Sequence, residues 1–250
     1  MDIGTHVAAI EHEGVVFVEA AEKAGLEASV PSCPGWSVAD LVHHLGVIHR
    51  WAGAFVRGRT TPVDGALEGD AIWGPRPDEN ELFDYYREGH ASLVEAFRNA
   101  PHDLDAWYFL EAPSPLAFWA RRQAHELAIH RADAQLASRP PDGYDPEFAA
   151  DGVDELLAGF IGHPQRRSRF EVTDSIQVDT TDVERHWHLD ISPERVVTTR
   201  DRRAAGLTIA GPASDVYLFM WNRADPGTIA LTGETHLLDA WRSSARIRWR

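Results

Sequence analysis

Two joined parts are predicted, an N-terminal helical bundle over residues 1–163 and a smaller α/β domain over 170–250. Three observations carry this. Apolar residues recur at helical spacing through the first part. From Phe170 onward, β-favouring residues alternate with polar ones instead. Charge is also unevenly spread: residues 1–163 hold 11 Lys+Arg against 27 Asp+Glu, whereas 164–250 hold 13 against 12. The boundary is placed in 163–169 (HPQRRSR), a polar stretch containing a proline.

The elements follow in order. Residues 5–24 place Val7, Ile10, Gly14, Phe17 and Ala21 on one helical face, and Gly25 follows as a stop. Residues 29–36 (SVPSCPGW) read as a turn-rich connector. Ser37 is an N-cap candidate for a helix running to about Arg57, ended by Gly58. Residues 58–77, rich in glycine and proline, read as a long loop. Asp78 is a cap candidate for the next helix, whose apolar positions include Leu82, Tyr85, Tyr86, Leu93 and Phe97, with Pro101 just beyond it. Pro113 and Pro115 open a further helix through about Ala137. Residues 146–161 read as a shorter helix. In the second part SIQVDTT, HWHLDI, RVVTT and GLTIAG read as strands. ASDVYLFMWNR then reads as a helix, TIALTGE as a strand and THLLDAWRSS as a final helix.

Composition narrows the function class. Hydrophobic residues make up 44% and aromatics 10% of the 250 residues, enough for a packed core. No apolar run approaches the roughly 18–20 residues of a membrane span, and the acidic start lacks the order of a secretory signal. The one cysteine, Cys33, leaves no partner for an internal disulfide. Together these features lead us to expect a cytoplasmic protein. A net charge of -15 argues against nucleic acid or an anionic membrane as partner. A monomer or small homo-oligomer handling small molecules is expected.

The chemical signal lies in RRQAHELAIHRAD. Glu126 and His130 are four residues apart, so a helix puts them on one face, about 40° apart. The run resembles the zinc-protease pattern HExxH, but His125 and His130 are five apart, roughly 140° around the helix. The protease reading therefore fails, and the Glu126/His130 pair remains. A metal needs a third ligand from elsewhere. The second helix, after Ser37, offers His43, His44 and His49. His44 shares a stripe with Leu41, Ile48, Trp51 and Phe55 that is expected to face the interior, where an imidazole must find a partner or a metal. His43 and His49 lie off that stripe and are expected at the rim or in solvent. His125 is expected to back the site or face solvent. The alternative for each is plain: an inward histidine can be a hydrogen-bonded core residue, and a Glu–His pair can be a weak surface pair.

PSCPGWSVADLVHHLGVIHRW followed by WARRQAHELAIHRADAQ resembles the mycothiol-dependent maleylpyruvate isomerase family of actinobacteria, related to DinB-like metal-binding bundles. GPASDVYLFMWNRAD with IALTGETHLLDAW resembles that family's smaller α/β domain, similar to sterol-carrier-protein folds. The resemblance implies a DinB-like four-helix bundle carrying a divalent metal, most simply zinc, on His44, Glu126 and His130. It also implies mycothiol as thiol cosubstrate and Arg223 as a catalytic arginine; by position alone Arg223 reads equally as an exposed helix-end residue. Two histidines and a carboxylate leave a tetrahedral zinc one open position, where a thiol would bind as thiolate and attack an electrophilic substrate, as an S-transferase or a cis–trans isomerase. Cys33 reads as a small packing residue, and Trp36 and Trp51 as core or pocket wall. Two other readings stand beside this one. One is a non-catalytic small-molecule-binding module with an apolar cavity in 170–250. The other is a metal-dependent hydrolase on the same bundle, active without a thiol.

Overall fold

The computed structural model describes residues 1–227, 229–245 and 247. The chain divides into two compact units, Met1–Asp142 and Gly143–Arg250. The division falls earlier than the 163–169 boundary read from charge and composition. The cause is the helical segment after Pro146. Its tail reaches the sheet of the second unit, where Thr198 Oγ1 donates to Leu157 O at 2.7 Å. Net charge along the chain cannot reveal which unit a helix packs on.

The first unit is built on four long helices, α1 (Ile3–Ala24), α2 (Val38–Val56), α4 (Leu82–Asn99) and α5 (Pro115–Leu136). Asp2 caps α1, its Oδ1 accepting from Thr5 N at 2.8 Å. Gly14 lets α1 approach α4 closely, since a Cβ there would lie 2.1 Å from His90 Nε2. Ser37 and Asp40 form a capping box at the start of α2. Ser114 caps α5, with Pro115 in its first turn.

Two local expectations fail. A short helix, α3 (Gly65–Trp73), interrupts the expected loop over 58–77. The prolines that favoured a loop, Pro62, Pro75 and Pro77, only flank it, and Gly74 ends it at φ 73°. Tyr85 Oη fastens that end by donating to Trp73 O at 2.8 Å. Asp78 makes no side-chain cap; a 3-10 turn, Glu79–Glu81, precedes α4 instead. Asp78 contributes its carbonyl, which accepts from Glu81 N at 2.9 Å.

A third departure concerns α2. It packs against α4 on one side and α5 on another, so it buries two stripes rather than one. His49, expected at the rim, is 1% exposed. Its ring lies 5.1 Å from Tyr86 and 5.5 Å from His90, centroid to centroid. Neither of its ring nitrogens has a hydrogen-bond partner among the described residues.

The second unit opens with α6 (Pro146–Asp154), which widens into a π-helical stretch, Glu155–Ile161. Its sheet runs in the order β3 (Val196–Thr199), β2 (His186–Ile191), β1 (Asp174–Thr180), β4 (Leu207–Gly211), β5 (Ala230–Gly233). Among the described residues, β1 and β4 pair in parallel and the other neighbours are antiparallel. Helix α7 (Ala213–Met220) lies between β4 and β5, and α8 (His236–Ser244) follows. Thr228, the first residue of the expected strand TIALTGE, lies outside the described residues. Ile176, Val178, Leu189, Leu207 and Ile209 fill the core, as the alternating pattern predicts. Gln177 and His188, on the opposite phase, are also buried. The chain after β3 covers them: Gln177 Nε2 donates to Asp201 O at 3.3 Å and Arg203 N donates to Gln177 Oε1 at 3.1 Å. No helix among the described residues is long and apolar enough to cross a membrane.

Burial pushes the His49 imidazole well below its ordinary value near 6.5, with the neighbouring His90 and Arg50 adding to the effect. Its neutral form is favoured in the fold, whereas the unfolded chain takes up a proton below that value. Stability is therefore complete above about pH 6.5 and falls as the pH drops below it, with a slope approaching about 1.4 kcal/mol per pH unit for this one group. Urea unfolding across that range is expected to give a steeper pH dependence for the wild-type chain than for His49→Leu. Parallel curves would refute the assignment.

Candidate metal centre

Helix α5 is the unusual element. It is buried nearly all round, yet Arg122, Gln123, His125, Glu126, His130, Arg131, Asp133 and Gln135 are among its buried residues. Isolated buried charge costs several kcal/mol, so such groups must be paired. Arg122 Nη2 donates to Glu126 Oε2 at 2.7 Å. Arg131 Nε stands 2.7 Å from Glu13 Oε2 on α1.

The three side chains selected from the sequence meet. His44 Nε2 lies 3.3 Å from Glu126 Oε1, and His130 Nε2 lies 3.3 Å from the same oxygen. The donor atoms of all three residues fall within 4.8 Å of one another. The two imidazole rings are 5.0 Å apart at a 76° interplanar angle. His44 comes from the stripe of α2 that faces α5, and the other two from one face of α5.

Electrostatics favour a positive charge at the centre of this arrangement. Burial pushes the Glu126 carboxyl upward, but Arg122 and the bonds from His130 and His44 outweigh it and hold the group well below the usual carboxylate range. Burial pulls His44 down more than its bond to Glu126 raises it. Burial likewise opposes the charge on His130, but its hydrogen bonds to the Asp133 and Glu126 carboxylates prevail and raise it to about 9. When His130 Nδ1–H donates to Asp133 Oδ2, 2.8 Å away, a neutral ring turns its Nε2 lone pair toward an anionic oxygen. That contact is repulsive unless a proton or a metal ion lies between. The residues fit a metal: ligand atoms 2.0–2.1 Å from a tetrahedral ion stand about 3.3 Å apart, which is the spacing at Glu126 Oε1. Arg122 occupies Glu126 Oε2 and leaves Oε1 to act alone.

The other predicted positions are distributed as follows. His125 is fully buried, its ring edge-on to His6 at 6.0 Å, so it does not face solvent. His43 is half-buried and stacked on Tyr85. Trp36 meets the His44 ring edge-on at 5.1 Å, and Trp51 joins an aromatic cluster with Phe55 and Trp119. Cys33 does more than fill space: its Sγ donates to Asp133 Oδ2 at 3.5 Å. Arg223, in the second unit, follows Asn222, whose backbone adopts a left-handed conformation at φ 61°. The Arg223 backbone N–H donates to Leu218 O at 2.7 Å, and its Nη1 donates to Trp221 O at 2.7 Å. Sequence reasoning missed Arg122 and Asp133. The signal was present, since both sit at offsets of four and three from the ligand pair on the same helix. A cavity of about 590 Å³ lies elsewhere, near Val56, Glu95 and Leu104, some 18 Å along α2 from His44.

Comparison with known proteins bears on the whole chain. Residues 7–135 match the family model of the mycothiol maleylpyruvate isomerase N-terminal domain, and residues 147–240 match that of the MDMPI C-terminal domain. Among solved structures, the chain is similar to mycothiol-dependent maleylpyruvate isomerase, with TM-score 0.63, 12% identity, and coverage of 94% of this chain and 95% of the other. A histidine-to-alanine mutant of that enzyme matches with TM-score 0.65 at the same identity and coverage. At that identity the likeness speaks for the fold. No curated protein sequence matches. The two family models between them cover both units, and the chain belongs to the mycothiol maleylpyruvate isomerase family.

Proposed function

We propose that this chain holds one divalent cation, zinc by fit, on His44, Glu126 and His130. We further propose that it activates mycothiol for attack on an electrophilic substrate, as a maleylpyruvate isomerase or an S-transferase. The observation that carries the reading is the approach of two imidazole nitrogens to one carboxylate oxygen at 3.3 Å each. Family membership supports the thiol and the class of electrophile. Once bound, the metal would supply positive charge at an open coordination position, lowering the pKa of an entering thiol so that the sulfur attacks as thiolate.

The chain's own groups have separable tasks. Arg122 keeps Glu126 anionic and offers only one of its oxygens. Trp36 packs edge-on against the His44 ring and backs that side of the site. The one cysteine of the sequence, Cys33, donates to Asp133, and the reacting sulfur is taken to be that of mycothiol. Thiolate addition to a cis double bond conjugated with a carbonyl moves the π electrons onto the carbonyl oxygen. Rotation about the resulting single bond, followed by expulsion of the same thiolate, returns a trans bond with no net change in atoms. In a transferase the carbon–sulfur bond persists. Arg223 is proposed to hold a substrate carboxylate or the developing negative charge.

Metal analysis of the purified protein is expected to find one equivalent in the wild type and little in His44→Ala or Glu126→Ala. Mycothiol-dependent turnover should fall at least about 100-fold in both variants. Wild-type metal content and turnover in both would overturn the proposal, and equal turnover without a thiol would favour a hydrolase.

Arg223→Ala is expected to retain its metal while losing about 100-fold in kcat/KM toward a carboxylate-bearing electrophile. An equal loss toward an uncharged electrophile would remove Arg223 from carboxylate binding.

A further inference from the structure

We propose that Asp133 is a positioning residue for the metal centre, an inference that rests on the metal reading above. It holds His130 in the tautomer and orientation that present Nε2 to the ion, and it is itself clasped by Ser32 and Cys33.

The geometry points to this in three steps. Asp133 is completely buried on α5, three residues after His130. Its Oδ2 stands 2.8 Å from His130 Nδ1, while Nε2 of the same ring faces Glu126 Oε1. A neutral imidazole carries its proton on one nitrogen only. A carboxylate beside Nδ1 keeps the proton there and leaves Nε2 as a lone pair, the form a metal requires. Without it, the other tautomer, with Nε2–H aimed at Glu126, becomes the favoured hydrogen-bonding state.

Asp133 is fixed from a distant part of the sequence. Ser32 Oγ donates to Oδ1, and Cys33 Sγ donates to Oδ2 at 3.5 Å. Both donors sit in the connector before α2, which is closed on itself by Val30 N to Trp36 O at 2.9 Å and Cys33 N to Val30 O at 3.0 Å. Pro31 and Pro34 restrict its backbone, and Gly35 supplies the positive φ of 89° that the turn needs. Trp36 of the same connector meets the His44 ring edge-on. One short turn thus bears on both imidazoles, on one directly and on the other through Asp133.

The test is cobalt(II) titration of the full chain, with zinc affinity read by competition. Asp133→Asn keeps the shape of the side chain but not its charge. It is expected to bind one equivalent with affinity about 10–100-fold weaker than wild type. In the cobalt-loaded protein, the exchangeable Nδ1 proton of His130 is expected to give a slowly exchanging NMR signal in the wild type and a faster-exchanging one in the variant. A role confined to anchoring the connector would lower thermal stability and leave both readouts unchanged. Asp133→Asn affinity within about two-fold of wild type overturns the inference. Should that variant not fold, Ser32→Ala decides: a loss of a few-fold in affinity supports the inference and an unchanged affinity overturns it. The two levels separate cleanly. Wild type that takes up no cobalt, or His44→Ala that binds like wild type, defeats the metal reading itself. Binding that is lost in His44→Ala but kept in Asp133→Asn defeats only the role of Asp133.

Discussion

Two imidazole nitrogens crowd one carboxylate oxygen, and the first unit is organised around tolerating that approach. Glu126 Oε1 sits 3.3 Å from His44 Nε2 and from His130 Nε2. His44 can meet that oxygen with Nε2–H, but a neutral His130 that donates Nδ1–H to Asp133 turns a lone pair toward it, a contact stable only with positive charge between them. Arg122 supplies part of that charge from behind, on the other carboxylate oxygen. The remainder falls to a proton on His130 or to a cation. A cation bound there would displace that proton, so metal uptake and protonation would compete.

Holding such a group inside protein constrains the surrounding helices. α5 carries its polar residues inward on nearly every side, so it needs partners on each. Arg131 reaches Glu13 on α1, His125 meets His6 on α1, and Glu126 meets His44 on α2. The apolar residues of the same helix, among them Trp119, Ala124, Leu127, Ala128 and Ala132, fill the gaps between these contacts and are almost fully buried. Breaking one member of such a set strands the other as an unpaired buried charge, typically a loss of about 3–5 kcal/mol. The bundle and the site consequently share one set of interactions.

Periodicity made the His44–Glu126–His130 cluster legible. Glu126 and His130 follow from a four-residue offset on a helix, and His44 from its place on an apolar stripe; both are local patterns that a helix converts directly into geometry. His49 was misread because one stripe was assumed to be the interior, whereas α2 is covered by α4 and α5 on separate faces. The helix α3 was hidden by the prolines that flank it. The clasp on Asp133 was not legible, since Ser32 and Cys33 lie about a hundred positions away and only the fold joins them. The compact units divide earlier than the composition change for a similar reason. Composition changes near 163–169, but the helix beginning at Pro146 is bonded into the sheet that follows.

Charge counting links the site's architecture to the chemistry proposed for it. Along one face of α5, Arg122, Glu126, His130 and Asp133 succeed one another at offsets of four, four and three. With both histidines neutral, this set and His44 carry a net charge of -1, from one guanidinium and two carboxylates. A divalent ion would turn that to +1 inside a largely desolvated pocket, where an uncompensated charge is costly. A single monoanion arriving at the ion restores neutrality. A thiolate would meet that requirement and a neutral thiol would not, so a metal held here would favour the ionised sulfur. Removal of either carboxylate would shift the balance to +2 and strengthen anion binding in general, at the expense of a defined position for the metal. With Arg122 balancing one carboxylate, the second leaves a divalent ion in this set short of one negative partner.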